Sequence, residues 1–124
     1  QRQVRDPKPA FVVLVDLDGL KKVNDTQGHA AGDLLIKRAA ETLAQSIRPY
    51  DVLARLGGDE FAILVPDCAM PRQRLRRRLH TALKKAEVAA SIGLADVHTD
   101  LKAALAAADR RMYRHKRWHG LARS

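Results

Sequence analysis

The sequence predicts an α/β (α+β) fold of the ferredoxin-like, split-βαβ kind, in which a central sheet containing antiparallel strands is flanked by helices. Three observations predict it. Short apolar, β-branched runs alternate with longer stretches whose apolar residues recur at helical spacing. A glycine-centred turn joins two of the short runs as a hairpin. The elements follow in the order strand, helix, strand, strand, helix, strand, helix. Over 124 residues, 46% hydrophobic and 30% charged side chains suit one globular domain spanning 1–124.

Ala10 to Val15 is short and apolar, as a strand buried on both faces should be, and it ends at Asp16-Leu17-Asp18. A short helix is expected from Gly19 to Asn24, closed by Gly28. From Ala30 to Ile47, Leu34, Leu35, Ala39, Leu43 and Ile47 form an inward helical stripe, and Arg48-Pro49 ends it because proline disfavours a helical residue before it. Val52–Leu56 and Phe61–Val65 flank Gly57-Gly58-Asp59-Glu60 as the two arms of the hairpin. Arg72 to Ala86 reads as a basic surface helix, and Val88 to Ala95 as a strand containing Gly93. Leu101 to Trp118 is the last helix, with Leu105, Ala108, Met112 and Tyr113 inward.

Composition narrows the function classes. Cys68 is the single cysteine, which excludes an intrachain disulfide and a multi-cysteine zinc site. No apolar run nears the roughly 20 residues of a membrane span, and the amino terminus carries no apolar signal region, so a cytoplasmic, soluble chain is expected, with membrane tethering of the full-length protein left open. Twenty-three Lys and Arg against 14 Asp and Glu give a net charge of +9, which favours phosphate-bearing partners. The basic runs Arg72–Arg78 and Arg110–Arg117 admit a nucleic-acid-binding reading, but few aromatic side chains accompany them, and that reading leaves the acidic residues unexplained.

Those acidic residues carry the chemistry. In a split-βαβ sheet the first strand runs antiparallel to the second hairpin arm, so Asp16 comes near Asp59 and Glu60. Converging carboxylates repel one another unless a cation neutralises them, and an oxygen-rich site suits Mg²⁺ or Mn²⁺. Gly57 and Gly58 leave backbone open to an approaching phosphate. Solvated acids beside a plain Gly-Gly turn are the alternative for such a motif in isolation.

The motif is not isolated. Asp16-x-Asp18-x-x-Lys21-x-x-Asn24-Asp25-x-x-Gly28-His29-x-x-Gly32-Asp33 precedes Arg55-x-Gly57-Gly58-Asp59-Glu60-Phe61. Ser91-Ile92-Gly93 and Ala108-Asp109-x-x-Met112-Tyr113-x-x-Lys116 follow. From about Phe11 to Lys116 the chain resembles the GGDEF domain, the diguanylate cyclase family. The resemblance implies a nucleotide-cyclase-like fold and the condensation of two GTP molecules into cyclic di-GMP with release of pyrophosphate, by two copies facing each other as a homodimer. It implies that Asp16, the backbone carbonyl of Leu17 and Asp59, assisted by Glu60, ligate Mg²⁺ or Mn²⁺, with Asp59 also the proton acceptor. Lys21 would stabilise charge on the phosphates. Asn24 and Asp33 match the guanine-reading pair, His29 lies in the same segment with a packing role equally open, and Gly57, Gly58 and Lys116 would contact substrate.

Asp33 suits guanine on physical grounds, since a carboxylate accepts from both N1–H and the N2 amino group, whereas adenine N1 would repel it. Arg48-Pro49-Tyr50-Asp51 fits the family's RxxD inhibitory site, with a second arginine from Arg74 to Arg78; a helix-end ion pair is the alternative. The sequence departs from the family after Lys116, where the usual arginine is absent and Arg117 or Arg123 stands nearby. Compared with the family, the 124 residues are also expected to lack the segment, including an Asp-x-Leu-Thr motif, that usually precedes the first strand, and any sensory module. These departures keep a second expectation open, a receptor that binds GTP or cyclic di-GMP without turnover.

Overall fold

The structure, a computed structural model, describes residues 10–98 and 100–118, the side chains of 115, 117 and 118 excepted. The chain runs β1 (Phe11–Leu17), α1 (Leu20–Gln27), α2 (His29–Ser46), β2 (Val52–Arg55), β3 (Glu60–Val65), α3 (Arg72–Lys85), β4 (Ala90–Asp96) and α4 (Leu101–Trp118). The four strands form one sheet in the order β2-β3-β1-β4, and every neighbouring pair is antiparallel. This is the expected split-βαβ arrangement, with the fold's extra helix α4 covering the second face. No helix among the described residues is long and apolar enough to cross a membrane.

A strand alternates its side chains between faces, and β1 is apolar on both because both are covered. Phe11, Val13, Val15 and Leu17 pack with Ala39 and Leu43 of α2 and Leu75, Leu79 and Leu83 of α3. Val12 and Leu14 pack with Ala104, Ala108 and Met112 of α4. Asp16 is the next residue of this second stripe, and Lys116 is the next of the stripe 104-108-112 on α4. Both stripes therefore turn ionic at the same end of the sheet.

Two glycines make this packing possible. Gly28 separates α1 from α2 at φ 93°, a backbone conformation that costs a side-chain-bearing residue steric strain. At Gly93 a Cβ would lie 2.0 Å from the Ala108 carbonyl oxygen and 2.4 Å from the Met112 nitrogen, so α4 rests directly on β4.

Two expected core positions are instead on the surface: Leu34 is 65% exposed and Tyr113 54%. Leu34 stands five positions before buried Ala39, and Tyr113 five after buried Ala108. At 100° per residue each points about 140° away from the buried stripe. Helix and strand limits otherwise depart from expectation by a few residues, most at α1, which continues to Gln27, and at β4, which begins at Ala90.

Candidate active site

The acidic site forms where β1 leaves the sheet. The register pairs Asp16 with Glu60 on one side and with Ser91 on the other. The Leu17 amide donates to the Asp59 carbonyl at 2.8 Å, which ties the hairpin tip to the end of β1. Asp16, Leu17, Asp59 and Glu60 are thus brought together, as expected from strand pairing.

Lys116 supplies the internal counter-charge. Its Nζ lies 2.8 Å from Asp16 and 3.4 Å from Asp18, with only 15% of its side chain exposed. Burial pushes the Asp16 carboxyl above its usual range; the Lys116 bond opposes this and Asp59 adds to it. Glu60 is pushed up likewise, by burial and then by Asp16, Asp109 and Asp59. Burial disfavours the Lys116 ammonium, yet its bonds to Asp16 and Asp18 hold it above the ordinary lysine value.

One feature of the donor set bears directly on a divalent ion. Asp16 Oδ1 is buried and accepts no hydrogen bond, although an unpaired buried carboxylate oxygen is costly. That oxygen, the neighbouring Asp59 carboxylate and the Leu17 backbone fit a hard cation with oxygen ligands. Among the described residues no three carboxylate, imidazole or thiol groups close around one point, so backbone and substrate oxygens would complete the coordination.

Gly57 and Gly58 lie at the exposed hairpin tip, where a Cβ on either would meet nothing within 4 Å. Neither has a positive φ. Packing and backbone conformation within the chain therefore do not require glycine at either position. Arg55 donates from Nε to the Gly57 carbonyl at 2.9 Å and from Nη2 to the Gly58 carbonyl at 2.8 Å, and so braces the turn.

The α1–α2 corner holds the other expected substrate residues. Asn24 is half-buried, with Oδ1 so close to Gly32 that a Cβ there would come within 1.8 Å of it. His29 and Asp33, both exposed, stand on the first turns of α2. Lys21 is exposed too, and it pairs with Asp25 of its own helix at 3.2 Å rather than with the acidic cluster.

Arg48 and Asp51 take the ion-pair arrangement. Arg48 Nη2 and Nε reach the Asp51 carboxylate at 2.8 and 3.1 Å, and the Arg48 amide donates to it at 2.8 Å. The guanidinium also donates to the carbonyls of Pro66 and Asp67 and lies 4.5 Å from the centre of the Tyr50 ring. Within the run 74–78, Arg78 lines the same small pocket of 140 Å³ as Arg48 and Asp51. The departure after Lys116 falls outside the described residues at the Arg117 side chain and at Arg123.

Sequence reasoning assigned no role to Asp18, Ser91 or Arg55. Asp18 is buried and accepts from the Ser91 hydroxyl at 3.0 and 3.1 Å while facing Lys116. The available signal was a second carboxylate two residues after Asp16, where a strand leaves the core. Its partner lies 73 positions away, beyond the reach of any local pattern.

A family model described as "Diguanylate cyclase, GGDEF domain" matches residues 1–120. The chain is 38% identical over 104 residues to the bifunctional diguanylate cyclase/cyclic di-GMP phosphodiesterase MucR of Pseudomonas aeruginosa, covering 77% of this chain and 15% of that protein. It is 36% identical over 123 residues to the probable diguanylate cyclase DgcJ of Escherichia coli, covering 94% of this chain and 25% of that one. It thus spans a quarter or less of these curated relatives. Among solved structures it is similar to the GGDEF domain of YfiN (TpbB) from Pseudomonas aeruginosa, with a TM-score of 0.77, 33% identity, and coverage of 90% of this chain and 73% of that one.

Proposed function

The chain belongs to the diguanylate cyclase GGDEF family, and on that premise we propose that it condenses two GTP molecules into cyclic di-GMP. The observation that carries the reading is the buried, unpaired Asp16 Oδ1 beside Asp59, beneath the open Gly57–Gly58 tip. In each of two equivalent steps the 3′-oxygen of one nucleotide forms a bond to the α-phosphorus of the other. The bond from that phosphorus to pyrophosphate breaks, and the 3′-hydroxyl gives up its proton. A divalent Mg²⁺ or Mn²⁺, when bound, would neutralise phosphate charge and favour loss of that proton.

The chain's own groups have separate tasks. Asp16, Asp59 and the Leu17 carbonyl, with Glu60 in support, hold the cation, and Asp59 accepts the 3′-hydroxyl proton. Lys21 and Lys116 bind phosphate oxygens, Lys116 by exchanging carboxylate partners for phosphate. The tip at Gly57 and Gly58 lets the phosphates approach the backbone. Asp33 and Asn24 read the guanine edge, with His29 flanking. One site holds one GTP and the product joins two, so catalysis requires a facing homodimer and falls with dilution.

Product regulates the same chain. Arg48 and Asp51, with Arg78 beside them, bind cyclic di-GMP when Arg48 gives up its contacts with Asp51 and the carbonyls of Pro66 and Asp67. Work on GTP places the domain in the cytoplasm.

The test is incubation of the chain at high concentration with GTP and Mg²⁺ or Mn²⁺, following cyclic di-GMP and pyrophosphate. Two molecules of pyrophosphate should appear per cyclic product, and Asp59→Ala should abolish turnover while the protein stays folded. Full activity in that variant would refute the assignment. One observation favours a second reading, a receptor without turnover: Lys116 is held by Asp16 and Asp18 and so is withdrawn from substrate. Nucleotide binding with no product under both metals would establish it.

A further inference from the structure

The two basic runs, separate in the sequence, meet beside β4, the edge strand of the sheet. Arg72, Arg76 and Arg77 from α3 and Arg111 from α4 line a groove of 460 Å³, with Ile92–Leu94 between them. No carboxylate lines it. The adjacent Asp96 pairs with Arg72 at 3.4 Å, leaving positive charge in excess. Arg111 donates to the Leu94 carbonyl at 2.7 Å, which anchors one guanidinium at the strand edge. Burial and then the neighbouring Arg72 press Arg111 below the usual arginine range, as expected where like charges are held together without an anion. The groove shares no lining residue with the acidic site or with the Arg48–Asp51 pocket.

We propose that this groove is a further anion site, and that its ligand is an oligophosphate chain of at least two phosphates, free or carried by a nucleotide. Arg72 and Arg76 stand about one helical turn apart and Arg111 comes from a different helix, so the groove offers donors from two helices to successive phosphates. Guanidinium groups grip phosphate oxygens through paired donors, which favours several arginines around successive phosphates. The volume suits a nucleotide-sized ligand. No Phe, Tyr or Trp side chain lines the groove and His80 contributes a single imidazole, so it lacks the series of stacking platforms that single-stranded nucleic acid uses. This inference does not rest on the cyclase reading.

Calorimetry with inorganic tripolyphosphate, in the presence of a chelator, tests it. Arg76→Ala and Arg77→Ala should each weaken binding about tenfold. Lys84→Ala removes the same charge from an exposed position outside the groove and should change it less than about twofold. Equal losses in all three variants would reduce the effect to net charge and overturn the proposal, as would unchanged binding in both arginine variants. GTP titrated against the same set separates the sources: tighter binding lost in Arg76→Ala points to a nucleotide, and loss for tripolyphosphate alone to the free anion. A short DNA duplex that binds more tightly and is the ligand most weakened by Arg76→Ala would overturn the small-molecule assignment.

Discussion

Lys116→Met removes the ammonium from between Asp16 and Asp18 while keeping an apolar stem of similar length. Exposed ion pairs contribute about 0–1 kcal/mol, whereas removing one partner of a buried pair costs about 3–5 kcal/mol. Lys116, Asp16 and Asp18 are 15%, 17% and 3% exposed, which places this network between those limits. A loss of about 2 kcal/mol is expected, and it lowers the melting temperature of a chain this size by roughly 6–10 °C in metal-free buffer. Added Mg²⁺ should then recover more stability in the variant than in the parent, because the carboxylates no longer have an internal cation to exchange. At concentrations near a hundred times the dissociation constant the recovery approaches about 2.7 kcal/mol. Thermal denaturation followed by circular dichroism, with chelator and with Mg²⁺, measures both effects. Equal melting of parent and variant in chelator, or equal gains with Mg²⁺, would refute Lys116 as the internal counter-ion.

Glu60→Gln should stabilise the fold at neutral pH by up to about 1 kcal/mol. The folded-state pKa of Glu60 lies above its ordinary 4.5, so the folded chain binds more protons over that window and stability falls as pH rises through it. Denaturant midpoints at pH 7 and pH 4 should therefore show the gain only at the higher pH. Gly93→Ala forces a methyl against backbone atoms at 2.0 and 2.4 Å and should cost about 3 kcal/mol in urea unfolding, whereas Gly58→Ala, with open space around it, should leave the midpoint unchanged. Arg48→Ala should eliminate cyclic di-GMP binding in calorimetry without changing initial turnover of GTP; identical isotherms for parent and variant would remove Arg48 from the product site.

Much of the fold was legible because its patterns are local. The alternation in β1 and the four-residue spacing of Ala104, Ala108 and Met112 predict which side of each element is buried. The two positions that departed, Leu34 and Tyr113, are apolar residues on the outer side of their helices; apolar character alone does not specify the phase of the stripe. Asp16, Asp59 and Glu60 were brought together as expected because strand pairing follows from the element order. Asp18 stood in the motif but received no role, since a carboxylate just past a strand reads as solvated until Ser91 and Lys116 are seen against it.

The sequence by itself determined the element order, the hairpin and the residue types available at its tip, because backbone preferences and side-chain periodicity act over a few positions. Only the tertiary structure decided that Lys116 closes on Asp16 and Asp18, that Arg48 turns inward to Asp51, and that two arginine runs share one groove. Those pairings join residues on different elements or select among competing partners. They depend on sheet order and on the close approach of α4 at Gly93, where charges left at the ends of apolar stripes must find one another or remain buried alone.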